Sequence, residues 1–452
     1  MDVPPLVLDR TAPVPLAVQL ADGLRTASVD GNLRTGDRLP STRALAEALG
    51  VSRTVTAAAY DQLVAEGWAA GRRGAGTFVV AVPSMSASPG AVSAPRSAAS
   101  PLISLRPGVP CVAVLDRSAW RRAWRAAADD PPDDTASAVG LPTFRAAVVE
   151  HLLRHRGLPA DPDSVLATAG TTAAVAELAR TLPVGARVAV EEPGYQRAVA
   201  ALRAAELEVL PVPVDGDGLV VEALPAGVAA VFCTPAHQFP LGARLSAARR
   251  VALVARARVE GFLVVEDDYD GELRYDVAPL PLLAALGPDV VVHLGTASKL
   301  LTPALGVGWL VAPPAVRDAV LDLRDRTGTR PAGAGQRVFT ALAAHGDLAR
   351  HLRRLRRELT VRRGAVNDTV TAAGGQVCGD AAGAHVVVPL EGTAAERAVR
   401  VAAAERGVDL DGLERHHGGT PTRGGVVIGY AGPSLADLDR ALDVVGDVLR
   451  GV

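Results

Sequence analysis

The sequence contains almost no lysine, and this scarcity is its most informative feature. Lys299 is the only lysine among 452 residues, and every other basic side chain in the Lys+Arg total of 47 is an arginine. An arginine guanidinium stays protonated, whereas a desolvated lysine amine can lose its proton and attack a carbonyl carbon. Lys299 is therefore a candidate for imine chemistry. The alternative is a stray surface lysine in a composition that favours arginine.

Cysteines and long apolar runs are also scarce. The three cysteines are odd in number and widely spaced, which favours reduced thiols in a cytoplasmic protein and gives no metal-ligand pattern. No apolar run reaches the roughly 18 residues that a membrane span needs, and the first residues lack a signal-peptide pattern. The net charge of -2 gives no overall attraction to nucleic acid or membrane, so a DNA contact requires a local basic patch.

The 49% of apolar residues and the length of the chain predict two or three domains' worth of core. Two apolar runs of strand length end at residues with useful chemistry. Residues 262–265 precede an acidic run that includes Asp267 and ends at Tyr269, and residues 290–294 precede Lys299. Ligands of α/β sheets lie beyond the carboxyl ends of the strands. A carboxylate there can keep the pyridine nitrogen of pyridoxal phosphate protonated, which predicts this role for Asp267. We expect Tyr269 beside the 3′ oxygen of the ring. A solvated acidic turn is the alternative.

The same sheet edge is expected to carry further contacts. From residue 102 onward predicted strands and helices alternate, which indicates a mostly parallel sheet with crossover helices. Gly170 and Thr171 lie in a turn of small residues between a strand and a helix, which predicts a phosphate cradle. Tyr195 follows a Pro-Gly turn and can stack on a pyridine ring. His237 is either a cofactor contact or a structural histidine.

The first eighty residues predict a helix-turn-helix with a wing. Leucines at helical spacing indicate a first helix, and Ser41 and Ser52 can cap two more helices. Residues 68–80 form a predicted hairpin, which is the wing. A plain packing unit is the alternative, but the wing favours DNA binding. The arginines expected to meet phosphates at the helix starts and the wing tip are Arg43, Arg53, Arg72 and Arg73.

A stretch rich in proline, serine and alanine separates this region from the rest of the chain. Residues 82–101 have little to bury, so they are predicted to be a flexible linker. The predicted domains are therefore a DNA-binding domain at 12–81, the linker at 82–101 and a large domain at 102–452.

The stretch LPSTRALAEALGVSRTVTAAAYDQLVAEGWAAGRRGAGTFV closely resembles the winged-helix domain of GntR-type bacterial repressors. Its PSTR, VSRT, AYDQL, EGW and GAGTF elements occur in that order. The resemblance implies that the chain binds double-stranded DNA. The positions it implies for reading DNA or gripping phosphates are Arg43, Ser52, Arg53, Thr54 and Thr56, with Arg72, Arg73 and Gly74 in the wing.

The rest of the chain resembles a fold-type I, aspartate-aminotransferase-like domain, with a mostly parallel sheet and a smaller C-terminal α+β part. The motifs are GLPTFR, EEPGYQR, TPAHQFPLG, VVEDDYDGELRY, LGTASKLLTPALGVGWL and AGAHVVV. A winged helix joined to such a domain resembles the MocR (GabR-like) group of bacterial regulators. The resemblance implies pyridoxal phosphate as cofactor and a homodimer, in which the heads can be exchanged between subunits.

The same resemblance implies a role for each candidate residue. Lys299 would form the internal aldimine, Asp267 would pair with the pyridine nitrogen and Tyr269 with the 3′ oxygen, and Tyr195 would stack on the ring. Gly170, Thr171 and Thr296 would hold the phosphate. Arg197 would meet the carboxylate of an effector, and Arg423 is a guess for a second carboxylate contact.

One departure from the pattern concerns the phosphate. The MocR group usually has an arginine seven residues after the lysine, where this sequence has Gly306. The missing charge-assisted contact could cost about 1.5–3 kcal/mol of cofactor binding, unless another arginine compensates.

Two functions share this cofactor. One is a transcriptional regulator that senses pyridoxal phosphate, or an amine or amino acid, at Lys299. The alternative is an active aminotransferase that carries a DNA-binding arm. The regulator is favoured, because a tethered winged helix has no part in amino-group transfer.

Overall fold

The computed structural model divides the chain into two compact units, residues 1–97 and 98–452, which are called here the head and the large unit. The predicted linker at 82–101 lies outside the described residues. Among the described helices, none is long and apolar enough to cross a membrane. The structure describes residues 6, 8–72, 75–80, 102–131, 135–275 and 280–451.

The head contains the predicted helix-turn-helix and wing. Ser41 Oγ accepts a hydrogen bond from the Ala44 amide at 3.1 Å, and Ser52 Oγ accepts one from the Val55 amide at 3.4 Å. Gly50, between these two helices, takes a left-handed conformation with φ 62°. Its elements are α1 (Leu16–Val29), α2 (Thr42–Leu49), α3 (Arg53–Ala65), β1 (Ala69–Arg72) and β2 (Gly76–Val79).

Leucines from all three helices pack together in the core of the head. Leu20, Leu45 and Leu63 are at most 3% exposed, and β1 pairs antiparallel with β2. Burial of each such side chain contributes roughly 1.5–3 kcal/mol. The predicted caps, helices and hairpin of the head are confirmed.

The large unit is built on an eight-stranded sheet. Its order is β4-β11-β10-β9-β8-β5-β6-β7, in which β11 and β7 run antiparallel to their neighbours and the other pairs are parallel. The mostly parallel sheet is therefore confirmed. The strands of the unit are β3 (Ile103–Ser104), β4 (Val165–Thr168), β5 (Arg187–Glu192), β6 (Glu208–Asp215), β7 (Gly218–Leu219), β8 (Ala230–Cys233), β9 (Leu263–Asp268), β10 (Val291–Thr296), β11 (Gly308–Val311), β12 (His385–Leu390), β13 (Val408–Asp409), β14 (Asp411–Gly412) and β15 (Gly424–Gly429).

Helices cover both faces of this sheet. Alternate strand residues belong to two separate clusters: Ala167 and Val264 pack on one face, and Leu166 and Val265 on the other. Helices α4, α5, α11 and α12 pack on the first face, and α6, α7 and α10 on the second. The helices are α4 (Arg117–Asp129), α5 (Pro142–Arg156), α6 (Thr171–Thr181), α7 (Gln196–Ala204), α8 (Ala247–Glu260), α9 (Leu283–Leu286), α10 (Pro314–Thr327), α11 (Gly333–Ala344), α12 (Asp347–Ala372), α13 (Gly392–Glu405) and α14 (Leu435–Arg450).

A smaller three-stranded sheet, β12-β15-β14, forms the predicted C-terminal α+β part. It packs with α13, and α12 packs against α14. This part brings residues near 385 and 415 to the cavity described below.

Candidate functional site

A cavity of 330 Å³ lies at the carboxyl ends of the central parallel strands. This volume falls in the range of about 300–1,000 Å³ that is typical of small-molecule sites. Eight of the residues predicted for the cofactor or effector line it, although they are far apart in sequence. They are Gly170, Thr171, Tyr195, Arg197, Asp267, Tyr269, Thr296 and Lys299.

Lys299 reaches the cavity three residues after the end of β10. Its Nζ donates a hydrogen bond to the carbonyl oxygen of Gly108 at 2.5 Å. Burial lowers the pKa of the amine, while the nearby Asp270 and Asp267 carboxylates partly oppose this by favouring the charged form. The lysine is therefore easier to deprotonate than an exposed lysine, as attack on a carbonyl requires.

Asp267 lies on the neighbouring strand, where it pairs in register with Leu294 of β10. It is 4% exposed, and its Oδ1 has no hydrogen-bond partner among the described residues. Burial raises the pKa of this carboxyl to about 8; the nearby Thr171 hydroxyl partly opposes this shift, and the charges of Asp268 and Asp270 add to it. A buried, unpaired carboxylate oxygen is costly unless a ligand pairs with it. This oxygen fits a protonated ring nitrogen.

Tyr269 belongs to a buried polar network beside Asp267. Its hydroxyl lies 3.1 Å from His237 Nδ1 and donates to the His237 carbonyl oxygen at 3.0 Å, while His237 Nδ1 lies 2.9 Å from Asp270 Oδ2. Burial raises the pKa of the Tyr269 phenol well above its usual range. The phenol therefore stays protonated and can donate a hydrogen bond to a ligand oxygen.

His237 lies behind Tyr269 and outside the residues that line the cavity, so the structural interpretation of this histidine fits the geometry better than a direct contact. With Asp270 and His385 it places donor atoms within 4.8 Å of one another, the one such buried trio with metal-ligand chemistry in the described parts of the chain. The spacing of the sequence did not predict this trio, because its members come from three distant segments.

The opposite end of the cavity has the features of an anion site. Gly170 precedes α6 with φ 113°, a conformation that side-chain-bearing residues rarely adopt. Thr171 Oγ1 is buried with no described hydrogen-bond partner, and Thr296 Oγ1 donates to Ser298 Oγ at 3.0 Å. The free amides at the start of α6 add a positive helix end. The structure adds Ser298 to this hydroxyl cluster.

Tyr195 and Arg197 stand at the start of α7. The Tyr195 hydroxyl lies 3.0 Å from Thr172 Oγ1, and its ring meets Phe239 edge to face at 5.9 Å. Burial raises the pKa of the Tyr195 phenol. Arg197 is exposed at the mouth of the cavity, and its charge reaches Lys299. The Tyr195 ring and the Arg197 guanidinium thus share one wall, and a hydrogen bond joins the two side chains.

Arg423 does not reach this cavity. It donates to the Val214 carbonyl at 3.3 Å and lines a separate cavity of 680 Å³. Arg415 lines the 330 Å³ cavity instead and pairs with the buried Asp411. The sequence signal that could have found Arg415 is the basic run 415–417, which follows the short strand β14.

Gly306 occupies the position where an arginine was expected. Its backbone is left-handed, with φ 57°. A Cβ added there would meet no heavy atom within 4 Å, so packing does not exclude a side chain. The arginines that line the cavity are Arg197 and Arg415.

The head presents most of its predicted contacts to solvent. Arg43, Ser52, Arg53 and Thr54 are exposed at the starts of α2 and α3, where helix amides can also meet phosphates. Arg72 is exposed, with its guanidinium 4.8 Å from the centre of the Phe78 ring. The predicted contacts Arg73 and Gly74 lie outside the described residues.

Thr56 requires a correction. It is 0% exposed, and its hydroxyl donates to the carbonyl oxygens of Thr42 at 2.8 Å and Arg53 at 3.0 Å. It therefore joins α2 to α3 inside the head and cannot touch DNA. The prediction failed because the helical position of Thr56, three residues after Arg53, faces the core.

Two family models match this chain. The model described as bacterial regulatory proteins of the gntR family matches residues 16–79. The model described as aminotransferase class I and II matches residues 103–445, which is most of the chain.

Full-length relatives join the same two parts. The HTH-type pyridoxine biosynthesis transcriptional regulator PdxR of Corynebacterium glutamicum is 37% identical, and the match covers 98% of each chain. The probable rhizopine catabolism regulatory protein MocR of Rhizobium meliloti is 33% identical, over 94% of this chain and 92% of its own.

Solved structures confirm the fold of the large unit. A crystal structure of Pyrococcus horikoshii kynurenine aminotransferase in complex with PMP matches with a TM-score of 0.71 at 24% identity, over 78% of this chain and 91% of that chain. Such a likeness establishes the fold and leaves the activity open. With the two family models and the full-length relatives, it shows that the chain belongs to the MocR/GabR-type regulators, in which a GntR-family winged helix is joined to an aminotransferase class I and II domain.

Proposed function

We propose that the protein is a transcriptional regulator whose head binds double-stranded DNA and whose large unit binds pyridoxal phosphate. One observation carries the proposal: Lys299, the only lysine of the chain, and Asp267 line the same cavity. Oδ1 of Asp267 has no hydrogen-bond partner among the described residues. An amine whose pKa is lowered by burial and a carboxyl whose pKa is raised by burial share this cavity. Both suit a pyridine aldehyde.

The residues present fit this cofactor. Lys299 supplies the amine for covalent attachment, and Asp267 pairs with the ring nitrogen. Tyr269 donates to the 3′ oxygen, and Tyr195 packs on the ring. When bound, the cofactor supplies an electrophilic carbon and an electron-accepting ring for amine chemistry. The phosphate lies against Gly170, Thr171, Thr296 and Ser298.

The effector is pyridoxal phosphate itself or an amine or amino acid that reacts with it. The Corynebacterium glutamicum relative is named as a regulator of pyridoxine biosynthesis, which supports the first choice. Arg197 and Arg415, at the rim of the cavity, support the second, because two guanidinium groups suit a carboxylate. Arg415 replaces Arg423 in this role.

The head makes the DNA contacts through Arg43, Arg53 and Thr54, with Arg72 in the wing. We propose a homodimer, with heads that can be exchanged between subunits, so that two heads bind two half-sites. Effector binding changes the large unit and shifts the population of head arrangements that fit DNA, as linkage requires.

An active aminotransferase remains the second candidate, because the aminotransferase class I and II model matches residues 103–445 and eight of the residues predicted for the cofactor or effector line the cavity. Sustained keto-acid production over many turnovers with common amino donors would favour it.

The proposal is tested on full-length protein by absorbance, borohydride reduction and DNA binding. Incubation with pyridoxal phosphate should give visible absorbance, and borohydride should fix the label on Lys299. Lys299→Ala should remain unlabelled. Arg53→Gln should weaken binding to DNA from upstream of the neighbouring gene without changing the label. Label elsewhere, or none, would refute the cofactor assignment, and sequence-specific DNA binding that survives loss of residues 1–80 would refute the assignment to the head.

A further inference from the structure

The large unit leaves a small set of arginines without partners. Most of its arginines pair with a carboxylate or a backbone carbonyl. Among the described residues, eight exposed arginines of this unit make neither an ion pair nor a side-chain hydrogen bond, and five of them lie on α4 and α12. The five are Arg117, Arg121, Arg125, Arg353 and Arg357, and the other three are Arg180, Arg203 and Arg326.

Two ion pairs link α4 to α12 over the length that carries these arginines. Arg122 of α4 pairs with Asp347 of α12 at 3.0 Å, and Arg354 of α12 lies 3.9 Å from Asp116, the N-cap of α4. Since the later residue of α4 meets the earlier residue of α12, the two segments run antiparallel. Their arginines therefore belong to one surface.

This surface has no acidic residue on its helical segments. Residues 117–128 contain four arginines and residues 348–357 contain five, and neither stretch contains aspartate or glutamate. Four acids flank it: Asp116 and Asp347 are engaged by Arg122, Arg350 and backbone amides, Glu358 pairs with Arg362, and Asp129 is the last residue of α4. We call residues 117–128 and 348–357 the arginine face. It is strongly basic within a chain whose net charge is -2.

The spacing of the arginine face suits an extended polyanion. Arg117, Arg121 and Arg125 recur every four residues, which places them about 6 Å apart along one side of α4. The buried residues of α4, Ala119 and Ala123, lie on the opposite side. Twelve helical residues span about 18 Å, and duplex DNA presents roughly ten phosphate charges over that length.

We infer that the arginine face binds the phosphate backbone of duplex DNA, without reading its sequence. This goes beyond the proposed function, which assigns DNA contacts to the head alone. The charge of the face, its five arginines without an ion pair or side-chain hydrogen bond among the described residues, and the repeated spacing on α4 all match a phosphate backbone. Phosphate contacts by arginine add affinity and salt dependence and carry no base information.

The test uses full-length protein and a fluorescein-labelled 60-base-pair duplex of mixed sequence. Affinity is measured from 50 to 200 mM KCl for wild type and for the triple variant Arg117→Gln, Arg121→Gln, Arg125→Gln. Loss of three phosphate contacts should make the slope of log K against log salt shallower by about 2.7. Wild type should therefore lose about 40-fold more affinity than the variant across this range.

The chain supplies a matched control. The triple variant Arg180→Gln, Arg203→Gln, Arg326→Gln removes the same charge from exposed, unpartnered arginines on α6, α7 and α10, which cover the other face of the sheet. It should keep the wild-type slope. Equal slopes for the two triple variants would overturn the inference. Arg353→Gln with Arg357→Gln gives a second variant, and melting by circular dichroism checks that each protein is folded.

Two further measurements separate this inference from its competitors. Arg53→Gln, in the head, tests the proposed function independently: an effect there with none at the arginine face would refute the inference alone. Poly-glutamate, and vesicles of phosphatidylcholine and phosphatidylglycerol, are tested with the same variants. If the binding of either probe depends on the arginine face and DNA binding does not, the face binds an acidic protein or a lipid surface. That result would also refute the inference.

Discussion

In the head, the predicted contact residues Arg53 and Thr54 lie exposed at a helix start, whereas in the large unit Asp267 is buried and Tyr269 half-buried at the end of a strand. The pKa values of Asp267 and Tyr269 are raised by desolvation. DNA is a large, hydrated polyanion, so its contacts must stand in water and act together. A small cofactor requires groups that are removed from water and left without partners, so that the ligand completes them.

Lys299→Arg should produce the largest effect. Arginine keeps a positive charge in the cavity, but its guanidinium cannot form the covalent bond that an amine forms. We expect complete loss of borohydride-fixed cofactor. DNA affinity without effector should stay within a few-fold of wild type, because the head is unchanged. Mass spectrometry of the reduced protein and a DNA titration measure the two quantities.

Asp267→Asn should weaken binding of pyridoxal phosphate by roughly 10- to 150-fold, because a charge-assisted hydrogen bond contributes about 1.5–3 kcal/mol. Absorbance titrations measure the dissociation constant. Asp289→Asn is the control, since Asp289 is an exposed acid that pairs with Arg258 just before β10. Equal effects of the two substitutions would show that the buried carboxylate is not the partner of the ring.

The same residue predicts a pH dependence in the cofactor-free protein. The pKa of Asp267 is about 8 in the folded state, against the ordinary value of 3.8 for an aspartate carboxyl. The folded state keeps this proton to a higher pH than the unfolded chain does. The contribution of the proton to the free energy of unfolding is therefore complete below pH 3.8, declines as pH rises, and is lost above about 8. Asp267→Asn should therefore raise Tm relative to wild type more at pH 8 than at pH 5. A constant difference would contradict the assignment.

Two threonines of α3 give the smallest and sharpest test. Thr54→Val removes an exposed hydroxyl and should weaken DNA binding a few-fold with little change in Tm. Thr56→Val removes a buried hydroxyl that two backbone carbonyls accept, and should lower the stability of the head by about 1 kcal/mol or more. Thermal melts and DNA titrations of both variants decide. A lower Tm for Thr54→Val, together with an unchanged Tm and weaker DNA binding for Thr56→Val, would contradict the contrast between exposed and buried groups.

Much of this organisation was predictable from local patterns. Asp267 and Lys299 follow apolar runs, and the strand-end rule of parallel sheets is enough to bring them to one edge. Ser41 and Ser52 precede helices and act as caps, as their positions predict. In each case the signal lies within a few residues of the feature.

The failures depend on contacts between distant segments. Arg415 and Arg423 are both arginines near β14 and β15, and only the packing of the C-terminal part shows which one reaches the cavity. His237, Asp270 and His385 are likewise brought together by tertiary structure. The predicted DNA contact of Thr56 was wrong because the sequence resemblance identifies the α3 helix but does not show which side of the helix faces the core.

The hydrogen bond from Lys299 to the Gly108 carbonyl has a consequence for how a signal could travel. Gly108 lies a few residues beyond the predicted linker, next to β3, which is itself held by β13. Once the amine of Lys299 is engaged by another molecule, this carbonyl loses its donor. The residue that loses this hydrogen bond is thus close, along the covalent chain, to the predicted linker between the head and the large unit.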